Sequence, residues 1–264
     1  MKNAILRILP VLLVAATIRA QTGGPPPPPP GGPHGFRLEM GGPGMGMHKV
    51  VTGAPFSADV TDQISQTLAD GNTIQHVTTG HIARDSQGRT YMQHTINGGP
   101  LAQNGPTTIT FLSDPVAGYS YVLNPDTKTA ARRALKSPSD DRNSGEPHAA
   151  FGPRHGASNA ANRVESDLGT QTINGVSAQG KSITHTIPAG EVGNAKPIVS
   201  TGETWYSPDL QIPVLAKHND PRSGQSIYTL TNIRRGDPPA SLFQIPSDYT
   251  VTDAPARGPH RPPE

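Results

Sequence analysis

Residues 56–96 read FSADVTDQISQTLADGNTIQHVTTGHIARDSQGRTYMQHTI, and this pattern decides the fold class. Phe56, Ala58, Val60, Ile64 and Leu68 fall on alternate or every-fourth positions. A period of two sets one face of an extended strand against a core. Asp70-Gly71 predicts a type I′ hairpin turn. Thr73 to Arg84 follows as a second strand, Asp85-Ser86-Gln87-Gly88 as a turn, and Arg89 to Ile96 as a third strand. The segment is expected to be a β-meander.

The same punctuation continues downstream. Thr108 to Ser113 and Tyr119 to Leu123 read as short strands around the turn Asp114-Pro115-Val116-Ala117-Gly118. Asn124-Pro125-Asp126 turns again, and Lys128 to Leu135 suits either a strand or a short helix. Val164 to Gly169 comes next, and Asn174-Gly175 joins Thr170–Ile173 to Val176 and Ala178 as a hairpin. Lys181–Ile187, Ile198–Tyr206, Gln211–His218 and Ser226–Ile233 complete the set, broken by Pro188, Pro208, Pro213, Pro221 and Pro238. No stretch after the first twenty residues holds a helical stripe for a dozen positions. The expectation is a mainly β fold, an antiparallel half-open β-barrel with few helices, flanked by disordered Gly/Pro-rich tails. Ser86–Ile96 and Ala178–Ile187 echo one another, which predicts two hairpins with the same turn chemistry.

Outside that domain the composition changes. Lys2 and Arg7 precede the apolar run Ile8–Ala16, and Ala20 offers a small residue before Gln21. This is the layout of a secretory signal peptide over residues 1–20, with an apolar run too short to span a bilayer of about 30 Å. Residues 21–50 are a Gly/Pro-rich linker with six consecutive prolines, Pro25 to Pro30. Such a segment favours a polyproline II rod and cannot bury apolar area. Residues 51–252 are expected to be one β-rich domain, 136–162 a long flexible loop, and 253–264 a tail like the linker. The protein is thus expected to be exported, to the periplasm or beyond, with cleavage near Ala20.

Composition excludes several classes of function. The chain has no Cys, which removes disulfides, thiolate metal sites, thiol catalysis and lipid attachment to a cysteine. Loss of Lys2, Arg7 and Arg19 with the signal leaves 19 basic residues against 20 acidic ones. Nothing in that balance recommends nucleic acid or an anionic membrane surface as a partner.

Three segments carry a resemblance to a known family. Gly169–Gly180, GTQTINGVSAQG, is similar to a strand pair of the periplasmic lipoprotein carriers. Thr204–Val214, TWYSPDLQIPV, resembles their Trp-containing strand, and Leu242–Val251, LFQIPSDYTV, their closing segment. The resemblance, to the outer-membrane lipoprotein-sorting superfamily, implies a half-open antiparallel barrel with an apolar concave face. In the carriers that face holds acyl chains, and related members bind envelope proteins. The chain differs from a dedicated lipid carrier in its few aromatics (five Phe, one Trp, six Tyr) and in the 136–162 insertion.

Candidate site residues follow from the same reading. Trp205, Tyr206, Leu210, Leu215, Tyr228, Leu230, Phe243 and Tyr249 are the large apolar residues that would line a cavity or fill a core. A tight turn at 85–88 sets Ile82 opposite Tyr91 and His81 opposite Met92. His81 and His94 would then lie diagonally on one face with Val60, Ile64, Val77 and Ile96, as weak candidates for a metal site without a third ligand. His148 and His155 sit in the long loop, and no H-E-x-x-H pattern occurs. Glu203 is an acid without a partner carboxylate. No Gly-x-Ser-x-Gly elbow and no phosphate-cradling loop is present. The sequence therefore offers no catalytic constellation and calls for no cofactor. It points to an extracytoplasmic protein binding a lipid, lipoprotein or protein segment. The alternative is an envelope structural or interaction protein acting through its proline-rich segment and long loop.

Overall fold

The computed structural model of the protein describes residues 50–97, 105–135 and 162–254. The expected signal peptide, the linker up to residue 49, residues 136–161 of the long loop (with His148 and His155) and the tail from residue 255 lie outside the described residues. Among those described, no helix is long and apolar enough to cross a membrane.

The described chain is mainly β. An N-terminal meander contains β1 (Phe56–Thr67), β2 (Thr73–Arg84), β3 (Thr90–Ile96), β4 (Thr107–Asp114), β5 (Tyr119–Asn124) and β6 (Thr129–Ala134). A second meander contains β7 (Arg163–Ile173), β8 (Val176–Ile187), β9 (Ile198–Ser207), β10 (Ile212–Asp220) and β11 (Gly224–Arg235). A single 3-10 turn at Ala240–Phe243 leads to β12 (Thr250–Asp253). The strands form one sheet in the order β12-β6-β5-β4-β3-β2-β1-β11-β10-β9-β8-β7. Among the described strands only β12 and β6 pair in parallel. The two meanders meet where β1 pairs with β11. Because β7 and β12 stand at opposite edges, the sheet stays open.

Turn chemistry sets the register. Asn174 and Gly175 both have positive φ, 48° and 85°, and Ile173 pairs with Val176. This is the expected type I′ turn, whose two central residues both need positive φ. The two earlier hairpins differ from expectation. At β1–β2 only Gly71 has positive φ. The N–H of Leu68 donates to Asn72 O at 2.7 Å, so the loop holds three residues and not two. At β2–β3 the N–H of Asp85 donates to Arg89 O at 3.1 Å, and Gly88 takes a φ of 83°. The Asp85 Oδ1 accepts the N–H groups of Gln87 and Arg89, which holds that wider loop. Ile82 therefore stands opposite Met92, His81 opposite Gln93 and Gly80 opposite His94. The expected register was one residue short, and in a strand one residue reverses the face. Within Lys128–Leu135 a strand forms over Thr129–Ala134, and Ala178–Ile187 lies inside the unbroken β8, so its echo of Ser86–Ile96 is not a second hairpin.

The core is continuous from one meander to the other. Phe56, Ala58, Val60, Ile82, Met92 and Phe111 cluster with Val176, Ala178, Trp205, Leu210, Ile212, Val214, Tyr228 and Leu230. Two polar ties fix the curl that brings these ends together. The buried Arg84 donates to the carbonyls of Ala54, at 3.1 and 2.8 Å, and of Leu210. Asn174 Nδ2 donates to Leu230 O at 2.6 Å, bringing the β7–β8 tip onto β11. Register irregularities between Pro213 and Leu215 and opposite Ser57–Asp59 lie in this region, where bulges increase local bend and twist. A smaller cluster of Leu112, Leu123 and Ala130, joined by Tyr91, Tyr121, Ile245 and Tyr249, supports the β4–β6 end.

Candidate functional site

Directly opposed residues of an antiparallel ladder share a face, so the register defines two surfaces. One carries Val60 and the other Asp59. On the Val60 face, Thr107, Ile96, Thr78, Asp62, Tyr228, Ala216, Thr204 and Lys181 form one row across eight strands. The next row runs His76, Ile64, Ser226, His218 and Gly202.

Burial changes along this face. Towards the Phe56 end, Phe56, Ala58, Val60, Ile82 and Leu230 are covered by the core. Towards the Thr67 end, Asp62, Ile64 and Thr78 are half-buried, and Ile74 and His76 are exposed. Two hollows open on this face. One of about 270 Å³ is lined by Gln179, Lys181, Thr204 and Tyr206. Another of about 210 Å³ is lined by Ile64, His218, Ser226 and the β10–β11 turn.

Three titratable groups of this face have shifted pKa values caused by burial. Burial pushes the Asp62 carboxyl above its ordinary pKa. Tyr228, directly opposite, has its phenol raised by burial and then by the Asp62 charge. Burial lowers the His94 imidazole. The carboxylates of the other face are differently placed. Asp59 accepts from Asn232 at 2.7 Å and contacts His81 at 3.0 Å. Glu203 accepts from Trp205 Nε1 at 2.6 Å and Lys217 at 3.2 Å. The indole bond, ahead of the lysine, holds Glu203 below its usual pKa, which makes it a fixed anion and a poor proton donor.

The eight predicted residues do not form one group. Trp205, Leu210, Tyr228 and Leu230 are buried in the main core, and Leu215 packs on its edge. Tyr206 is on the Val60 face, 40% exposed, beside the larger hollow. Trp205 is on the opposite face, against Leu215 and Gly180. Phe243 is buried in the 3-10 turn beneath the Arg89 guanidinium, 5.3 Å from its ring centre. Tyr249 belongs to the smaller cluster. His81 and His94 lie on opposite faces because of the register, so they cannot share a ligand. No group of three His, Asp or Glu suited to a metal occurs among the described residues.

Sequence reasoning passed over Asp62. The available signal was the series Phe56, Ala58, Val60, Asp62, Ile64, in which an acid stands at an inward position of a period-two pattern.

No family model and no curated protein matches the chain. Among solved structures it is similar to MucB of Pseudomonas aeruginosa in complex with MucA, at 11% identity and a TM-score of 0.40. That match covers 76% of this chain and 58% of that one, less than two thirds of the MucB chain. It is also similar to a LolA superfamily protein of Nitrosomonas europaea, with 10% identity, coverage of 72% and 90%, and a TM-score of 0.29. A third is a Vibrio parahaemolyticus domain named for outer-membrane lipoprotein sorting, with 9% identity, coverage of 71% and 88%, and a TM-score of 0.28. The chain is thus similar to structures bearing the name of the superfamily that its 169–180, 204–214 and 242–251 segments resemble.

Proposed function

We propose that the protein is an extracytoplasmic binding protein whose open sheet takes an apolar ligand, an acyl chain or an extended protein segment, on its Val60 face. In this reading residues 1–20 are removed on export and residues 51–252 form the binding domain. One observation carries it: the Val60 face is packed at its Phe56 end and uncovered by described residues at its Thr67 end. There Ile74 is exposed and Ile64 lines one open hollow, and a second hollow opens on the same face over β8 and β9. Tyr206 lines the larger hollow, Tyr228 and Leu230 lie on this face of β11, and Leu210 and Trp205 belong to the core, Trp205 from the opposite face.

The driving force is removal of apolar surface from water, about 25 cal/mol per Å². A ligand burying roughly 300 Å² would gain ~7 kcal/mol before the cost of association.

The test is native mass spectrometry on protein purified from its own exported fraction, with the intact mass compared with the denatured mass. A discrete excess of a few hundred daltons supports the reading. A bare mass, together with no affinity of the delipidated protein for any acyl probe, overturns it. The rival reading assigns partner capture to residues 21–50 and 136–162. Deleting residues 21–50 abolishes partner capture under that rival and leaves ligand binding intact under the first.

A further inference from the structure

Asp62 has no evident structural task. The other sheet carboxylates removed in part from solvent are engaged: Asp59 by Asn232 and His81, Glu203 by Trp205 and Lys217, Asp220 by Arg222. Asp62 accepts no hydrogen bond from the described residues. The phenol of Tyr228, its direct cross-strand neighbour, also has no hydrogen-bond partner among them, although the residue is only 6% exposed. No fully buried side-chain nitrogen or oxygen among the described residues lacks a partner, so the unbonded oxygens of Asp62 and Tyr228 stay open to solvent, where a ligand can reach them.

Their surroundings mix apolar and polar residues, with Thr78 directly opposite Asp62 on β2. Val60 and Ile64 flank Asp62 on its own strand, and Ala216 and Ile96 lie in the same transverse row. His94, His76 and His218 are the titratable groups nearest in register, and none bonds to Asp62. The hollow lined by Ile64 and Ser226 lies at the next same-face pair along β1 and β11.

We infer that Asp62 and Tyr228 form the polar end of the proposed site, where they select a ligand carrying a primary ammonium group on an apolar chain. The inference rests on the apolar-ligand reading and adds the headgroup. An ammonium has three donors and no acceptor. It can give one hydrogen to the Asp62 carboxylate and another to the Tyr228 oxygen while its chain follows the apolar face. An alcohol has one hydrogen to donate, and a carboxylate would be repelled. Bulk electrostatics cannot produce the same selection, because the exported chain carries 19 basic residues against 20 acidic ones.

The experiment titrates the exported chain with dodecylammonium, dodecanol and dodecanoate below their aggregation limits, at neutral pH and moderate salt, by calorimetry. The expected order is dodecylammonium, then dodecanol, then dodecanoate. The first should bind about tenfold tighter than the second, the size of one charge-assisted hydrogen bond. Asp62→Asn should collapse that ratio to near one, and Tyr228→Phe should reduce it. Gln63→Ala, on the same strand but the opposite face, should keep it. Near-UV circular dichroism of each variant confirms the fold. Equal affinities for all three probes, or a preference that survives Asp62→Asn, overturns the inference and leaves the apolar-face reading standing. Failure of all three to bind overturns both.

Discussion

Arg84 on β2 donates through Nη2 to the carbonyl of Leu210, 126 residues further along the chain, in the β9–β10 turn. The same guanidinium donates from Nε and Nη2 to Ala54 O and lies 5.0 Å over the ring of Phe56. One buried side chain thus ties the β2–β3 turn of the first meander to the β9–β10 turn of the second.

Arg84→Lys keeps the charge and removes the fork. An ammonium on a flexible stem cannot serve both carbonyls from the plane that stacks on Phe56. A buried carbonyl left unmet costs about 1–3 kcal/mol, and bonds from a charged donor are worth more than neutral ones. The variant should lose about 2–3 kcal/mol in urea denaturation. An unchanged midpoint would mean that the Leu210 contact contributes nothing to closure.

Gly180 is required by its neighbour. A Cβ placed there would sit 2.6 Å from two atoms of the Trp205 ring and 2.8 Å from Leu168 Cβ. Gly180→Ala must displace the indole, which should strain its bond to Glu203. A cost of roughly 1–3 kcal/mol is expected from overpacking. Trp205 is the chain's single Trp, so its emission reports the displacement directly. A spectrum and midpoint identical to wild type would contradict this packing.

What the sequence could reveal depended on where side chains meet the core. Phe56, Ala58 and Val60 alternate because one face of β1 is buried, and that pattern located the first meander. Asn174-Gly175 was legible because two positive φ values leave little choice of turn. The β2–β3 loop was not, since Asp85-Ser86-Gln87-Gly88 suits a tight turn as well as the observed three-residue loop with Gly88 left-handed. The difference sends His81 to the far face. β12 gave no signal, because its four residues are all exposed and are held through backbone pairing with β6. Arg84 reads in sequence as a polar strand end. Only the fold brings Ala54 and Leu210 to its guanidinium.

Asn174 has two roles that can be separated. It supplies positive φ to the type I′ turn, and its side chain holds Leu230 O. Asn174→Gly preserves the first and deletes the second. A loss of about 1–2 kcal/mol is expected from the unmet carbonyl. Faster amide exchange should appear at the β7–β8 tip, with little change at β1–β2. Wild-type stability in this variant would show that water replaces the side chain at no cost.

His94 should give the protein a component of acid sensitivity near neutrality. It lies on the Val60 face between Gly80 and Ile109, and burial lowers its pKa from the ordinary value of about 6.5. The unfolded chain therefore takes a proton at His94 before the folded one does. The stabilising contribution of the neutral ring is present above about pH 6.5 and is lost as pH falls towards the folded value. His94→Gln cannot titrate, so its stability should fall less than that of wild type between pH 7 and pH 5. Asp59, Glu203 and Asp220, held low first by hydrogen bonds from Asn232, Trp205 and Arg222, have the same sign of effect. Their window lies lower, below the ordinary carboxyl range. Asp62 has the opposite sign: its raised pKa gives a contribution present below the ordinary Asp value and lost as pH rises through the folded one. Thermal midpoints of wild type and His94→Gln measured at half-unit steps separate these effects, because the carboxylates are common to both proteins. Parallel curves from pH 7 to pH 5 would show that His94 takes up its proton as readily in the folded protein as in the unfolded chain.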